Sequence, residues 1–196
     1  MKLFLVISCL FAASISSAQP ANKPNIVVVI VDQWRAQAAG FNGNKDVLTP
    51  HLDKLAKHSV NVKNAVSGMP VCTPFRAQFM TGKYPLSTGV FMNDVMLDTA
   101  TTSIAHLYKN KGYATGFIGK WHIDGHGRNS YIPENRRQGF EYFKALECTH
   151  NYNHSPYYAG NNTDKKFWEG YDVIAQANDA QAYICLLYTS PSPRDS

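Results

Sequence analysis

The sequence predicts an α/β domain with a largely parallel central sheet flanked by helices, of which this chain holds an incomplete part. Residues 26–31 form a continuous β-branched run, I-V-V-V-I-V, which is typical of a strand buried on both faces of a parallel sheet. Thr-Pro pairs at residues 49–50 and 73–74 each predict a helix start, because threonine caps helices and proline fits their first position. Strands that alternate with helices in this way indicate a parallel sheet.

The next two elements are a helix and a strand. The helix that begins at Pro50 carries an apolar stripe, which is formed by Leu52, Leu55 and Ala56. Residues 59–66 place Val60 and Val62 in alternation, which predicts a second strand. The second Thr-Pro pair opens another helix, and Gly82 is its expected end.

A third helix and another strand follow. Ser103 can cap a helix that Gly112 closes, and residues 113–118 predict a short strand. Residues 119–122 leave the carboxyl end of that strand, where sheets of this class bind their ligands. Residues 128–166 are rich in Asn, Tyr, His and Pro, so we expect a loop that decorates the active-site edge.

Both ends of the chain are expected to lie outside the folded domain at residues 19–184. Residues 1–18 combine a basic start, an apolar run and a small-residue cleavage pattern, which predicts a secretory signal peptide and an exported protein, periplasmic or extracellular. A retained membrane anchor is disfavoured, because a span needs roughly 20 apolar residues. Residues 185–196 back-translate into a sequencing-library adapter, and we interpret them as a non-native tail beyond which the native sequence continues. The alternative is a disordered Pro/Ser-rich tail.

The net charge and the cysteine content of the chain limit the classes of function that the sequence predicts. The formal net charge of +5, without a dense Lys/Arg run, suits anionic substrates and does not predict nucleic-acid binding. Of the four cysteines, Cys72 and Cys148 lie within residues 19–184. In an exported protein these two cysteines could form a disulfide.

The strongest chemical signal is C-T-P-F-R at residues 72–76, followed by T-G-K-Y-P at residues 81–85. Cys72 comes just before the predicted helix start, where unpaired backbone N–H groups and the helix dipole favour an anion. Arg76 lies within the first turn of that helix. By itself the pattern is loose, because Cys72 could also be a buried thiol or half of a disulfide with Cys148.

These motifs resemble the signature of the formylglycine-dependent (type I) sulfatases, a family of the alkaline-phosphatase-like superfamily. G-K-W-H at residues 119–122 resembles the second signature of that family, and the resemblance covers nearly all of residues 25–184. It implies an arylsulfatase-like enzyme that hydrolyses sulfate esters, with a cysteine oxidised to formylglycine by a dedicated maturation enzyme. The implied catalytic residues are Cys72, Arg76, Lys120 and His122.

The resemblance also implies a divalent cation, expected to be Ca²⁺, bound by Asp32, Gln33 and the modified Cys72. The family pattern is Asp-Asp, and here Gln33 offers a neutral carbonyl oxygen that still suits a hard cation. Taken alone, Asp32 would be read as a turn residue. The H-x-D-x-H pattern at residues 122–126 could indicate a metal cluster, but we favour a flexible loop there.

The implied substrate is a sulfate ester, either a sulfated glycan or an aryl sulfate, bound by Lys120 and by a later histidine that we assign to His154. In the implied reaction one hydroxyl of the hydrated formylglycine attacks sulfur and the alcohol of the ester leaves. The second hydroxyl then gives its proton to His122 as sulfate is eliminated and the aldehyde re-forms.

Further family residues, two metal ligands and a second lysine, come later than this chain. We therefore expect the 196-residue chain alone to be inactive and to bind metal weakly. Two alternatives remain open for the function. One is a phosphonate or phosphodiester hydrolase of the same superfamily, and the other is a non-catalytic binder of sulfated glycans on the same fold.

Overall fold

A four-stranded mixed sheet forms the centre of the structure, a computed structural model that describes residues 23–189. In order across the sheet, its strands are β1 (Gly116–Lys120), β2 (Tyr142–Leu146), β3 (Pro156–Ala159) and β4 (Lys166–Phe167). The predicted α/β class is confirmed, but the described sheet is not largely parallel. Only β1 and β2 pair in parallel, whereas the other two pairings are antiparallel. Short connections without a helix join β2, β3 and β4, and such connections permit antiparallel neighbours.

Helices precede and follow the sheet in the described part of the chain. They are α1 (Pro50–Ala56), α2 (Cys72–Thr81), α3 (Pro85–Thr88), α4 (Ile104–Asn110) and α5 (Asp172–Thr189), with short 3-10 turns at Gly40–Asn42 and Glu134–Arg136. The helix predicted after Thr49 is confirmed, and Gly82 ends α2 as predicted, with a φ of 68°. Helix α5 has no counterpart among the sequence predictions, and it includes residues 185–189 of the expected tail. The expected signal peptide and residues 190–196 lie outside the described residues.

Helix α2 begins earlier than its Thr-Pro pair predicts. Its cap residue is Val71 rather than Thr73, and Cys72 is the first helical residue rather than the residue before the helix. The amide of Phe75 donates to the carbonyl of Val71 at 3.0 Å, which closes the first turn. Pro74 fits inside this turn because the first amides of a helix have no intrahelical acceptor in any case.

Ser103 caps α4 as predicted. Its hydroxyl accepts the amide of His106 at 3.2 Å, and the Nδ1 of His106 accepts the amide of Ser103 at 3.1 Å. The same hydroxyl donates to the carbonyl of Gln138, which connects α4 to the segment before β2. The cap therefore fixes both the start of the helix and its attachment to the sheet.

Two predicted strands do not form. Residues 26–31 have no strand conformation, and Val29 is 81% exposed; residues 59–66 also lack strand conformation, and Val60 is 90% exposed. A strand persists only when a neighbour satisfies its backbone N–H and C=O groups. Neither segment pairs with any of the four described strands, so its β-branched composition is not sufficient.

The prediction of a loop at residues 128–166 is wrong for part of this segment, because it contains β2 and β3. Strand β2 alternates as a half-buried strand does, with Phe143 and Ala145 in the core. Its Lys144 is held by an ion pair with Asp179 at 2.5 Å and lies 4.5 Å from the ring centroid of Tyr157. These contacts accommodate a charged residue in a central strand, which the local composition does not indicate.

The hydrophobic core connects α2 with the sheet and with the loop after β1. Phe117 is partly buried and packs against this core, with its ring centroid 4.8 Å from that of Trp121 and 5.7 Å from that of Phe143. Helix α5 packs on β1 where Gly116 leaves room, because a Cβ at that position would overlap the ring of Tyr183. The parallel pair β1–β2 is therefore covered by both helical and aromatic contacts.

By its internal contacts the chain divides into two units, Met1–Lys54 and Leu55–Ser196. The candidate metal ligands Asp32 and Gln33 belong to the first unit, and the remaining candidate site residues belong to the second. Between residues 23 and 189, no helix is both long enough and apolar enough to cross a membrane.

Glu147 fixes the loop that follows β1. It comes directly after β2, and its buried carboxylate accepts the amides of Ile123, Asp124 and Gly125 at 3.0, 2.8 and 2.7 Å. Burial raises the pKa of Glu147 to about 7, although the three amides act in the opposite direction. One side chain therefore holds three consecutive backbone groups next to the end of β1.

We expect Glu147→Gln to remove a pH dependence of the folding free energy. With a pKa of about 7 in the folded chain and 4.5 as its ordinary value, Glu147 contributes stability that is fully present below pH 4.5 and is lost as the pH rises through 7. The folding free energy lost is about 3 kcal/mol, because the pKa is raised by roughly two to three units and each unit corresponds to about 1.4 kcal/mol. Urea unfolding at a mildly acidic and a mildly alkaline pH measures it. The exposed Glu169→Gln should keep the wild-type dependence, and an unchanged dependence in Glu147→Gln would contradict the prediction.

Candidate active site

Cys72 and Lys120 meet at the carboxyl end of β1. Cys72 is the first residue of α2 and is half-buried, and Lys120 is the last residue of β1. The ammonium of Lys120 donates to the Sγ of Cys72 at 3.4 Å. The two sequence motifs are 48 residues apart, and the structure brings their key side chains into contact.

Arg76 fixes this end of the strand from the helix side. Its side chain is buried one turn into α2, and its Nη1 donates to the carbonyl of Lys120. A buried guanidinium needs acceptors to offset its loss of water, and a carbonyl at a strand end provides one. Arg76 therefore holds the backbone of the residue whose ammonium contacts Cys72.

His122 lies two residues beyond β1 in an uncommon backbone conformation, with a φ of 54°. It is 2% exposed, and its Nε2 lies 2.9 Å from the Oδ1 of Asp94. Its Nδ1 is buried and has no hydrogen-bond partner among the described residues. Burial lowers the pKa of His122, Asp94 raises it, and the nearby Lys120 and Arg76 lower it further, so the net direction is down. The imidazole is therefore neutral at neutral pH.

Asp94 is a member of the site that the sequence predictions do not include. Its carboxylate accepts Nε and Nη2 of Arg128 at 3.1 and 2.8 Å and also contacts His122. The hydrogen bonds from Arg128 and His122 lower the pKa of Asp94 to about 2. Asp94 is thus a carboxylate at every pH at which the fold is expected to function.

The segment that carries Asp94 is fixed to the start of α2. The amide of Thr73 donates to the Oδ1 of Asn93 at 3.0 Å, and the amide of Asp94 donates to the Oγ1 of Thr73 at 3.3 Å. Thr73 is fully buried. The residue next to Cys72 therefore determines where the carboxylate that contacts His122 lies.

Comparison with known proteins places this arrangement in a family. The family model described as Sulfatase matches residues 24–192. The chain belongs to the sulfatase family. An ulvan-active sulfatase of Formosa agariphila is 48% identical over 92% of this chain and 36% of its own length. Human steryl-sulfatase is 35% identical over 74% of this chain and 27% of its own length.

Solved structures agree with the family. The sulfatase-family protein yidJ of Bacteroides fragilis superimposes with a TM-score of 0.80 at 29% identity, over 90% of this chain and 44% of that chain. This sulfatase chain thus spans about a third of the length of the curated relatives described above. The resemblance to sulfatases that the motifs indicate is confirmed.

The candidate metal ligands Asp32 and Gln33 are too few to complete a divalent cation site by themselves. Asp32 and Gln33 offer a carboxylate and a carbonyl oxygen, which suit a hard cation, but Ca²⁺ takes roughly six to eight oxygen ligands. Gln33, which belongs to the first unit, has a backbone φ of 56°. Residues 23–189 contain no group of three or more His, Cys, Asp or Glu side chains suited to a metal ion. No catalytic step can therefore be assigned to a cation from these residues.

The loop expected at the H-x-D-x-H pattern is fixed rather than flexible. Asp124 is buried, and its carboxylate accepts Nε and Nη2 of Arg136 at 2.6 and 3.0 Å. The Nδ1 of His126 lies 3.4 Å from the Oδ2 of Asp124, which also accepts Nη2 of Arg136, while His122 faces Asp94 instead. Together with the hydrogen bonds of Glu147, these contacts hold the loop, which differs from the flexible loop expected.

The two cysteines of the domain are not joined by a disulfide. Cys148 is buried, and its amide donates to the carbonyl of Arg128 at 3.1 Å. This bond positions the backbone of the arginine that pairs with Asp94. The alternative of a Cys72–Cys148 bridge therefore does not describe this structure.

His154 lies at the start of β3, outside the contacts described for Cys72. Its side chain is exposed, and its ring stacks on Phe167 with the centroids 4.2 Å apart. No contact described within residues 23–189 joins His154 to Cys72 or Lys120. Its assignment to sulfate binding stays a prediction.

One signal in the sequence could have indicated Asp94, whereas none indicates Arg128. Asn93 and Asp94 form an Asx pair, and these residue types tolerate the positive φ that Asp94 adopts, 63°. Arg128 falls within the predicted loop, and it reaches Asp94 across 34 residues of sequence. No local pattern predicts a contact at that separation, because only the packed sheet creates it.

We expect Thr73→Val to destabilise the fold by about 1 kcal/mol, because valine keeps the shape but leaves the amide of Asp94 without its acceptor. Urea unfolding of the variant measures this change. The exposed Thr102→Val should change the free energy of unfolding by less than about 0.5 kcal/mol. Equal effects of the two substitutions would show that the hydroxyl of Thr73 does not anchor this segment.

Proposed function

We propose that the enzyme containing this chain hydrolyses sulfate esters with a nucleophile derived from Cys72 by conversion to formylglycine. The observation that carries the proposal is the 3.4 Å contact between Cys72 and Lys120 in a chain of the sulfatase family. Formylglycine would supply an oxygen nucleophile for attack at sulfur in place of the thiol. The position of Cys72 as the first residue of α2 supports the assignment, because helix N-termini favour anionic groups.

Lys120 and Arg76 have distinct roles in this proposal. The ammonium of Lys120, next to residue 72, offsets the negative charge that develops on the sulfuryl oxygens. Arg76 donates to the Lys120 carbonyl, so it positions that lysine and adds positive charge without leaving the protein interior. A compact point charge on a fixed backbone suits an oxyanion with three equivalent oxygens.

His122 is proposed to accept and return a proton during turnover. Its pKa is lowered chiefly by burial, so the neutral imidazole predominates at neutral pH and can act as a base. The Nδ1, which has no partner among the described residues, is the nitrogen available for this role.

The family also suggests a divalent cation and a particular substrate class. We propose that Asp32 and Gln33 offer oxygen ligands to a cation, Ca²⁺ by the nature of these donors. The substrate is proposed to be a sulfated glycan, since a relative named as an ulvan-active sulfatase is 48% identical. His154 would contact the sulfate group. Export through residues 1–18 and conversion by a maturation enzyme complete the proposal.

A phosphonate or phosphodiester hydrolase is the second candidate function. Such enzymes can share C-x-P-x-R and an Asp-Gln pair near the start of the domain, both of which occur here. The G-K-W-H sequence, whose Lys120 contacts Cys72, favours the sulfatase. A non-catalytic glycan binder is disfavoured because Cys72 and Arg76, of which it would be expected to lose one, are both present.

Mass spectrometry of the chain co-produced with a maturation enzyme tests the nucleophile. We expect the peptide with Cys72 to lose sulfur and gain an aldehyde oxygen, since the motif at residues 72–76 is intact. Cys148 in the same sample serves as the internal control and should remain a thiol. An unmodified Cys72 would contradict the formylglycine proposal.

Assays on the full-length enzyme that contains this chain test the reaction. Activity is expected on a sulfated glycan and not on a phosphodiester, and Lys120→Ala should lower kcat by about 100- to 1000-fold, since it removes a preorganised charge. The exposed Lys57→Ala should leave kcat unchanged. Preference for the phosphodiester would support the second candidate, and the 196-residue chain alone is expected to be inactive.

A further inference from the structure

Asp94 lies far from both signature motifs in the sequence, yet it contacts the histidine of one and the helix start of the other. Its Oδ1 lies 2.9 Å from the Nε2 of His122, and its amide donates to Thr73, which follows Cys72. Asp94 and His122 both adopt a positive φ, 63° and 54°, which is uncommon for residues with a side chain. Two such conformations facing one another indicate that packing imposes this geometry.

The contact determines which nitrogen of His122 carries the proton. The carboxylate of Asp94 is ionised and can only accept, so the Nε2 of His122 must be the protonated nitrogen. In the neutral ring, Nδ1 then keeps its lone pair. This nitrogen is buried and has no hydrogen-bond partner among the described residues, so no other contact occupies the lone pair that would accept a proton.

Arg128 holds the carboxylate in place. Its two nitrogens donate to both oxygens of Asp94 at 3.1 and 2.8 Å, which fixes the carboxylate plane relative to the imidazole. Both side chains of this ion pair are about half exposed, 48% and 47%, whereas His122 is 2% exposed. The ion pair is thus partly exposed to solvent, whereas the imidazole that it contacts is buried.

We propose that Asp94, held by Arg128, is a positioning residue that fixes the Nε2–H tautomer of His122 and leaves Nδ1 as the proton acceptor. This inference rests on the proposed function for its catalytic meaning, but the tautomer itself does not depend on it. In many catalytic and metal-binding sites a carboxylate orients a histidine in the same way. The carboxylate accepts the N–H of one ring nitrogen and leaves the other nitrogen for the chemistry. The roles of Cys72 and Lys120 are unaffected by it.

The charged groups around His122 determine the sign of the expected pH effect. Lys120 and Arg76 face it as cations and lower its pKa, and Asp94 is the anion that raises it. Arg128 reaches the imidazole through Asp94. Removal of the Asp94 charge therefore lowers the pKa of His122 further, and the base remains neutral to a lower pH.

Asp94→Asn is the variant that tests the inference, because asparagine tolerates the positive φ and keeps the size of the side chain. In ¹⁵N-labelled 196-residue chain, nitrogen–proton correlation spectra report the tautomer of His122. We expect the wild type to show only Nε2–H and the variant to show a mixture. The exposed Asp98→Asn is the matched control and should keep the wild-type tautomer.

In the full-length enzyme that contains this chain, Asp94→Asn should lower kcat by about 10- to 100-fold with KM little changed. In the profile of kcat against pH, the fall in kcat on the acidic side should move to lower pH. A merely structural defect would not produce such a shift.

An Nδ1–H tautomer in the wild type, or an unchanged tautomer in Asp94→Asn, would overturn the inference. If the variant does not fold, the tautomer of the wild type decides the question alone. A wild type with the expected tautomer but no sulfatase activity would support the positioning role and contradict the proposed function.

Discussion

The parallel pairing of β1 with β2 is the constraint on which the rest of the site depends. Lys120 lies opposite Leu146 in this register, and the amide of Trp121 extends the ladder by donating to the carbonyl of Leu146 at 2.8 Å. The segments that follow β1 and β2 therefore leave the sheet side by side, in the same direction. The carboxylate of Glu147 can then collect three amides of the neighbouring loop. A backbone ladder, rather than side-chain contacts alone, thus places the residues of the second signature.

Charge in the site is unequally distributed in a way that suits an anionic substrate. Arg76, Lys120 and Arg128 contribute positive charge, and Asp94 is the carboxylate that contacts His122. Because Asp94 neutralises Arg128, the excess of positive charge is concentrated beside residue 72. Burial together with this excess keeps the imidazole of His122 uncharged at neutral pH, within a few residues of two cations.

The sequence predicts those parts of the fold and site that depend on local chemistry. The end of α2 at Gly82 and the Ser103 cap follow from short motifs. Short motifs also select Cys72, Arg76, Lys120 and His122 as candidate catalytic residues. Features that depend on distant partners are not predictable in this way. Residues 26–31 have the composition of a strand but no strand beside them, and β2 has the composition of a loop but pairs with β1. Asp94 and Arg128 become neighbours of His122 only after that pairing has formed.

The left-handed conformations of Asp94 and His122 also bear on which positions of this chain could vary during evolution. Few residue types occupy this region of backbone space at low cost, so both positions accept a narrow range of replacements. Exposed residues outside this region of backbone space, such as Tyr152 and His154 just before β3, are not restricted in this way. Sequence divergence would therefore be tolerated at such exposed positions sooner than at Asp94 and His122.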